Sequence, residues 1–149
     1  MKKIIVLIIA LFLVGCTKEE MITCNIEVDN DLQNYTMKGI YNIYYKDNYV
    51  TKIEKKEQYI SPDEDIITYL KESKDLEYYN LNDLYGGYTY EIKNSETALA
   101  ITSEIDLSLV DLKEMEQDKK IDKDYVVGNR LTTSGIVRIY ESKGAICDI

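Results

Sequence analysis

YTMKGIYNIYYKDNYVTKIEKKEQY, residues 35–59, decides the fold. Tyr35 to Tyr45 is rich in residues that suit a pleated, half-buried surface. Lys46-Asp47-Asn48 supplies a turn, and Tyr49 to Tyr59 is a further β-prone run, so the stretch reads as a hairpin. Gly39 is a candidate bulge. The middle of the later run, Glu54 to Gln58, is so polar that one of its faces must be wet.

Working outward, Cys24 to Asp29 alternates, with Cys24, Ile26 and Val28 on one face and Asn25, Glu27 and Asp29 on the other. On the other side of the hairpin, Ser61-Pro62-Asp63-Glu64 reads as a helix start. Ser61 is the expected cap, and Pro62 the first helical residue. Ile66, Ile67 and Leu70, with Leu76 as a candidate fourth member, form an apolar stripe, and the helix is expected to end before Tyr78. Gly86-Gly87 marks a turn. Tyr88 to Lys93 and Ala98 to Ile105 form another hairpin around Asn94-Ser95. Asp106 to Met115 is ambiguous, and Glu116 to Asp124 is a charged loop. Thr132, Thr133 or Ser134 caps a last helix with Ile136, Val137 and Tyr140 inward and Gly144 at its end. Hairpins with two segregated helices predict an α+β domain, an antiparallel sheet of about five strands with two packed helices.

The N-terminus speaks to location. Lys2 and Lys3 precede an unbroken apolar run, Ile4 to Val14, of signal-peptide length and too short to span a bilayer. Leu13-Val14-Gly15-Cys16 resembles the lipobox of bacterial prolipoproteins. That resemblance implies cleavage after residue 15 and a diacylglyceryl group on Cys16. An ordinary signal peptide with an incidental cysteine, or an uncleaved anchor, is the alternative. Two acyl chains suffice for stable anchoring. The expected organisation is a signal at 1–15, a lipidated tether at 16–23 and one domain at 24–149. The expected address is the outer face of the cell membrane. A tether from Thr17 to Thr23 reaches roughly 25 Å, which keeps the domain near the bilayer.

Composition narrows the chemistry. Without residues 1–15 the chain keeps 16 basic and 27 acidic groups, a net charge of −11. Nucleic acid is a poor partner for such a surface. With Cys16 acylated, Cys24 and Cys147 remain, and an even count in an exported chain suggests a disulfide. Two free thiols in a reducing habitat are the alternative. There is no histidine, no CxxC and no glycine-rich phosphate loop, so no catalytic residue, metal ligand or cofactor site is assigned. Asp29-Asn30-Asp31 begins like a calcium loop, but Asn34 and Ile40 stand where glycine and glutamate are needed. Asp118, Asp122 and Asp124 read as a solvated loop. Fourteen tyrosines against one phenylalanine and no tryptophan are the remaining oddity. Tyr85, Tyr88 and Tyr90 form the candidate binding surface, with codon bias and ordinary sheet packing as the alternative explanation.

The lipobox cysteine, the tyrosine-rich hairpins, the Ile105-Asp106 step followed by Asp111, and the closing Thr/Ser-capped helix resemble the YehR-like lipoproteins of bacteria. The similar stretch runs from Tyr88 to Gly144, with a weaker echo from Ile26 to Lys71. The resemblance implies a single α+β domain on a lipid anchor and lends no catalytic residue. The leading expectation is a non-enzymatic cell-envelope lipoprotein that binds a protein partner close to the membrane. The alternative is a small-ligand or glycan binder.

Overall fold

The computed structural model describes residues 18–149, so the expected signal and Cys16 lie outside the described residues. Strands β1 (Glu20–Asn30), β2 (Tyr35–Lys46) and β3 (Tyr49–Ile60) form an antiparallel meander. Asp47 and Asn48 both take positive φ, as a tight two-residue hairpin turn demands. Gly39 makes no bulge: the register runs straight through Gly39↔Glu57, and the irregularity falls at Tyr44/Tyr45. Gly39 faces the core instead. A Cβ there would stand 2.8 Å from Ile26 Cγ2 and 3.0 Å from the Tyr41 hydroxyl, which occupy the space.

β1 starts within the expected tether. Glu20 to Thr23 are strand, because buried Ile22 extends the inward series of Cys24 and Ile26. Helix α1 (Glu64–Tyr85) also departs from expectation at both ends. Its cap is Asp63, whose carboxylate accepts the Asp65 N–H; Ser61 lies outside the helix, where its hydroxyl donates to the Asn34 carbonyl. The helix continues past Tyr78 because Tyr78, Leu81 and Tyr85 prolong the inward stripe of Ile67 and Leu70, whereas Leu76, six residues on from Leu70, falls on the outer side and is exposed. Gly86, at φ 70°, ends it.

Next come β4 (Tyr88–Asn94) and β5 (Ala98–Asp106), then α2 (Leu112–Gln117), which resolves the ambiguous stretch as a short helix capped by Asp111. A two-residue ribbon, β6 (Val126–Val127) with β7 (Arg130–Leu131), leads into α3 (Thr133–Ser142), capped by Thr132. β8 (Ile146–Asp148) closes the order. The main sheet therefore has six strands, β4-β5-β3-β2-β1-β8, all antiparallel; the extra strand is the return segment after α3. Cys24 and Cys147 are directly opposed on β1 and β8 and are disulfide-bonded.

Both main helices cover the same face of the sheet. Ile67, Leu70 and Tyr78 of α1 and Ile136, Val137 and Tyr140 of α3 share one core with Ile43, Ile53, Leu99 and Ile101. Among the described residues, no helix covers the other face of the sheet. Among the described residues, no helix is long and apolar enough to cross a membrane.

Candidate functional site

The polar middle of β3 supplies side chains to both faces. Strand alternation turns Ile53, Lys55, Glu57 and Tyr59 toward the helices and Lys52, Glu54, Lys56 and Gln58 away from them. The sequence demanded one wet face; it did not show that a charged pair lies on the dry one.

On the inward side Lys55 Nζ sits 3.6 Å from Glu57, and both side chains are largely buried. Tyr41 donates to Glu57 Oε1 at 3.0 Å, and the Tyr78 hydroxyl donates to Oε2 at 3.4 Å. Lys55 and Ser103 in turn donate to the Tyr78 oxygen. Two sheet strands and α1 thus meet on one carboxylate, and β5 joins them through Ser103 on Tyr78. The Tyr41 ring stacks on Tyr140 of α3, and Tyr78 stacks on Tyr90. Lys55 lies against the Tyr41 and Tyr78 rings. Burial opposes its charge, but Glu57 and the phenolic oxygens outweigh that and hold its pKa above the usual lysine range. Tyr41 and Tyr59 are raised above the usual tyrosine range by burial first and the Glu57 carboxylate second. Burial pushes Tyr140 up to about 12. Every charged group here has an internal partner, so the cluster is a structural lock.

This placement overturns the expected tyrosine surface. Tyr85 is 2% exposed and Tyr88 9%, both within the core. Tyr90 is half-buried against Tyr78, its hydroxyl donating to Asp75. The physical reason is strand parity and helix length: Tyr88 and Tyr90 fall on the inward parity of β4, and α1 continues far enough to bury Tyr85. Tyr85 donates to Asp118 at 2.8 Å, which gives one acid of the charged loop a structural task. Asp122 accepts the Asp124 N–H. Among the described residues no group of carboxylates or cysteines is arranged to hold a metal.

The outward side of the sheet carries a shallow groove of about 770 Å³ that crosses its middle strands. Asn25, Lys38, Ile40, Gln58, Thr102 and Ile146 line it. Ile40 and Ile146 are exposed there. Around them run exposed ion pairs: Lys38–Glu27 at 3.0 Å, Lys52–Glu54 at 2.8 Å and Lys93–Glu91 at 3.0 Å. Acid and base are balanced on this face although the domain as a whole is strongly acidic. Sequence reasoning missed the groove because its apolar residues are scattered singly along separate strands and converge only through sheet pairing.

The fold is similar to that of solved structures. The NMR structure of the E. coli YehR protein matches with a TM-score of 0.61 at 15% identity, over 89% of this chain and 93% of that one. The chain has a YehR-like fold. The NMR structure of a protein from Streptococcus pneumoniae TIGR4 matches with a TM-score of 0.55 at 17% identity, over 91% of this chain and 88% of that one. At these identities the likeness concerns the YehR-like fold alone. No protein-family model matches the sequence, and no curated protein matches it.

Proposed function

We propose that this protein is a lipid-anchored, non-enzymatic module of the bacterial cell envelope that binds a protein partner close to the membrane. The bare, charge-balanced sheet face is the observation that carries the binding part. A six-stranded sheet whose groove exposes Ile40 and Ile146 offers an apolar centre with a polar surround, the anatomy of a protein interface. The inward charges, the nearest approach to reactive groups, are spent on internal partners, which supports a role without catalysis. None of the groove's lining residues is aromatic, which counts against a sugar-stacking site.

The address rests on the leader and on Cys16. β1 begins at Glu20, so the tether is shorter than the sequence reading allowed, and the domain is drawn closer to the bilayer. Membrane fractionation of a Cys16→Ser variant tests the anchor. Loss of the mature protein from the membrane fraction is expected; retention at mature size overturns the anchor. A photo-crosslinking residue in place of Gln58 in intact cells tests the sheet face. A discrete protein adduct lost in an Ile40→Glu variant is expected. No adduct, or one indifferent to Ile40, assigns the partner elsewhere.

A further inference from the structure

Helix α1 is apolar on two opposite sides. Its inward stripe packs on the sheet. At roughly 100° per residue, Tyr69, Leu76 and Tyr79 fall on the diametrically opposite side. They are 59%, 60% and 61% exposed. A single exposed apolar residue is ordinary. Three large ones at spacings of seven and three, on the outer line of a 22-residue helix, repeat the geometry of a helix–helix seam.

Charge selects among the possible occupants. Asp65, Glu72 and Asp83 are interleaved on the same outer line. Among the described residues, none of the three has a cation within ion-pair distance. Neither lysine of α1 lies on this line: Lys71 stands about 100° round the helix from Glu72, and Lys74 is on the inward side, bonded to Glu77 at 2.7 Å and lying over the Tyr59 ring. A second copy would oppose this acidic line with its own, and an anionic lipid surface would be repelled by it. We propose that the outer seam of α1 docks a basic amphipathic helix of a partner protein. Its apolar side would cover Tyr69, Leu76 and Tyr79, and its lysines or arginines would meet Asp65, Glu72 and Asp83. This surface lies on the opposite side of the molecule from the bare sheet face and does not depend on it.

A photo-crosslinking residue replacing Leu76 in the full chain, expressed in its native cells, tests the assignment. The expected adduct is a protein whose crosslinked peptide, identified by mass spectrometry, is a Lys/Arg-rich sequence of helical periodicity. Its yield should fall at least tenfold with E72K/D83K and stay unchanged with D148K, which alters charge on β8, at the opposite edge of the sheet from β4. An adduct with a second copy, with lipid or with an acidic segment overturns the proposal. So does a yield indifferent to E72K/D83K, or no adduct at all. The Gln58 crosslink is read in parallel: loss of that signal with the Leu76 adduct intact sinks the sheet-face reading and leaves this one standing. Because Glu72 and Asp83 are exposed, unchanged far-ultraviolet circular dichroism is expected for E72K/D83K and separates lost docking from lost folding.

Discussion

Lys55–Glu57 and Lys52–Glu54 are the same pairing at the same spacing on one strand, yet the pleat gives them opposite environments. The outward pair sits at 2.8 Å with both side chains about one-third exposed. The inward pair is longer, at 3.6 Å, and Glu57 is only 7% exposed. Distance alone would rank the outward pair stronger. Burial reverses the order of consequences, because water replaces a lost partner on one face and cannot on the other. Glu57→Ala should therefore destabilise the domain by about 3–5 kcal/mol, the usual cost of breaking a buried pair. Glu54→Ala should stay within about 1 kcal/mol. Urea titrations of the two variants check this, and similar losses would break the comparison. Replacing the whole inward pair by K55M/E57L should recover most of the loss, since the desolvation cost of both charges disappears with them.

The inward face also holds the disulfide. Cys24 is fully buried, while Ile146, which precedes its partner Cys147 on β8, points outward. C24S/C147S is expected to cost about 2–4 kcal/mol, because the cross-link closes a long loop in the unfolded chain. Hydrogen exchange should loosen β8 and the adjoining part of β1 first. If protection across β3 falls equally, β8 is integral to the sheet centre and not an edge clasp.

Both faces hold groups that titrate on the alkaline side, since the hydrogen bonds to Glu54 also raise outward Lys52 and Tyr44, but the acid-side contribution comes from the outward network. Lys55, Tyr41 and Tyr59 all have raised pKa values in the folded protein. Unfolded, they release protons near pH 10 (about the free Lys and Tyr values), while the folded state holds them. Above that pH the unfolded chain binds fewer protons, so stability falls; below it, the contribution is fully present. Glu54 has a lowered pKa through its hydrogen bonds to Lys52 and Tyr44, so its smaller contribution is lost as pH drops through the carboxylate range. Urea midpoints should decline steeply on the alkaline side, and K55M/E57L should soften that limb. The part of the tyrosinate absorbance that a Tyr59→Phe variant lacks should rise only with unfolding, since exposed Tyr69 and Tyr79 contribute equally to both proteins. A gradual rise of that part in the folded protein would mean that the cluster is wet.

Much of this architecture was legible locally. The hairpins at 35–59 and 88–105, the last helix and the Cys24–Cys147 pairing follow from turn residues, periodicity and cysteine parity. Where reading failed, tertiary packing decided. Tyr78 and Tyr85 extend α1 only because a sheet waits beneath them, and Lys55 is tolerated inside only because Glu57, Tyr41 and Tyr78 converge on it. The same blindness misplaced the tyrosine surface. Fourteen tyrosines suggest display, but Tyr41, Tyr59, Tyr78, Tyr85, Tyr88 and Tyr140 build the core, while Tyr69 and Tyr79 are exposed. Parity on β4 was available from the sequence; which parity faced inward was not, until β5 fixed the register.

The finest distinction between the faces is ionic strength. Raising salt shortens the Debye length from about 10 Å at 0.1 M to about 3 Å at 1 M and weakens interactions that reach through water. Lys52 also lies 3.7 Å from Glu104 and over the Tyr44 ring, so the outward pair is a small network exposed along its length. A double-mutant cycle on Lys52 and Glu54 should give a coupling of about 0.2–1 kcal/mol at low salt and close to zero at 1 M. The corresponding cycle on Lys55 and Glu57 should be larger and nearly independent of salt, because counter-ions cannot enter beneath the helices. Equal salt slopes would mean that solvent reaches both faces of β3, and the inward lock would then owe its strength to hydrogen bonds from Tyr41 and Tyr78 alone.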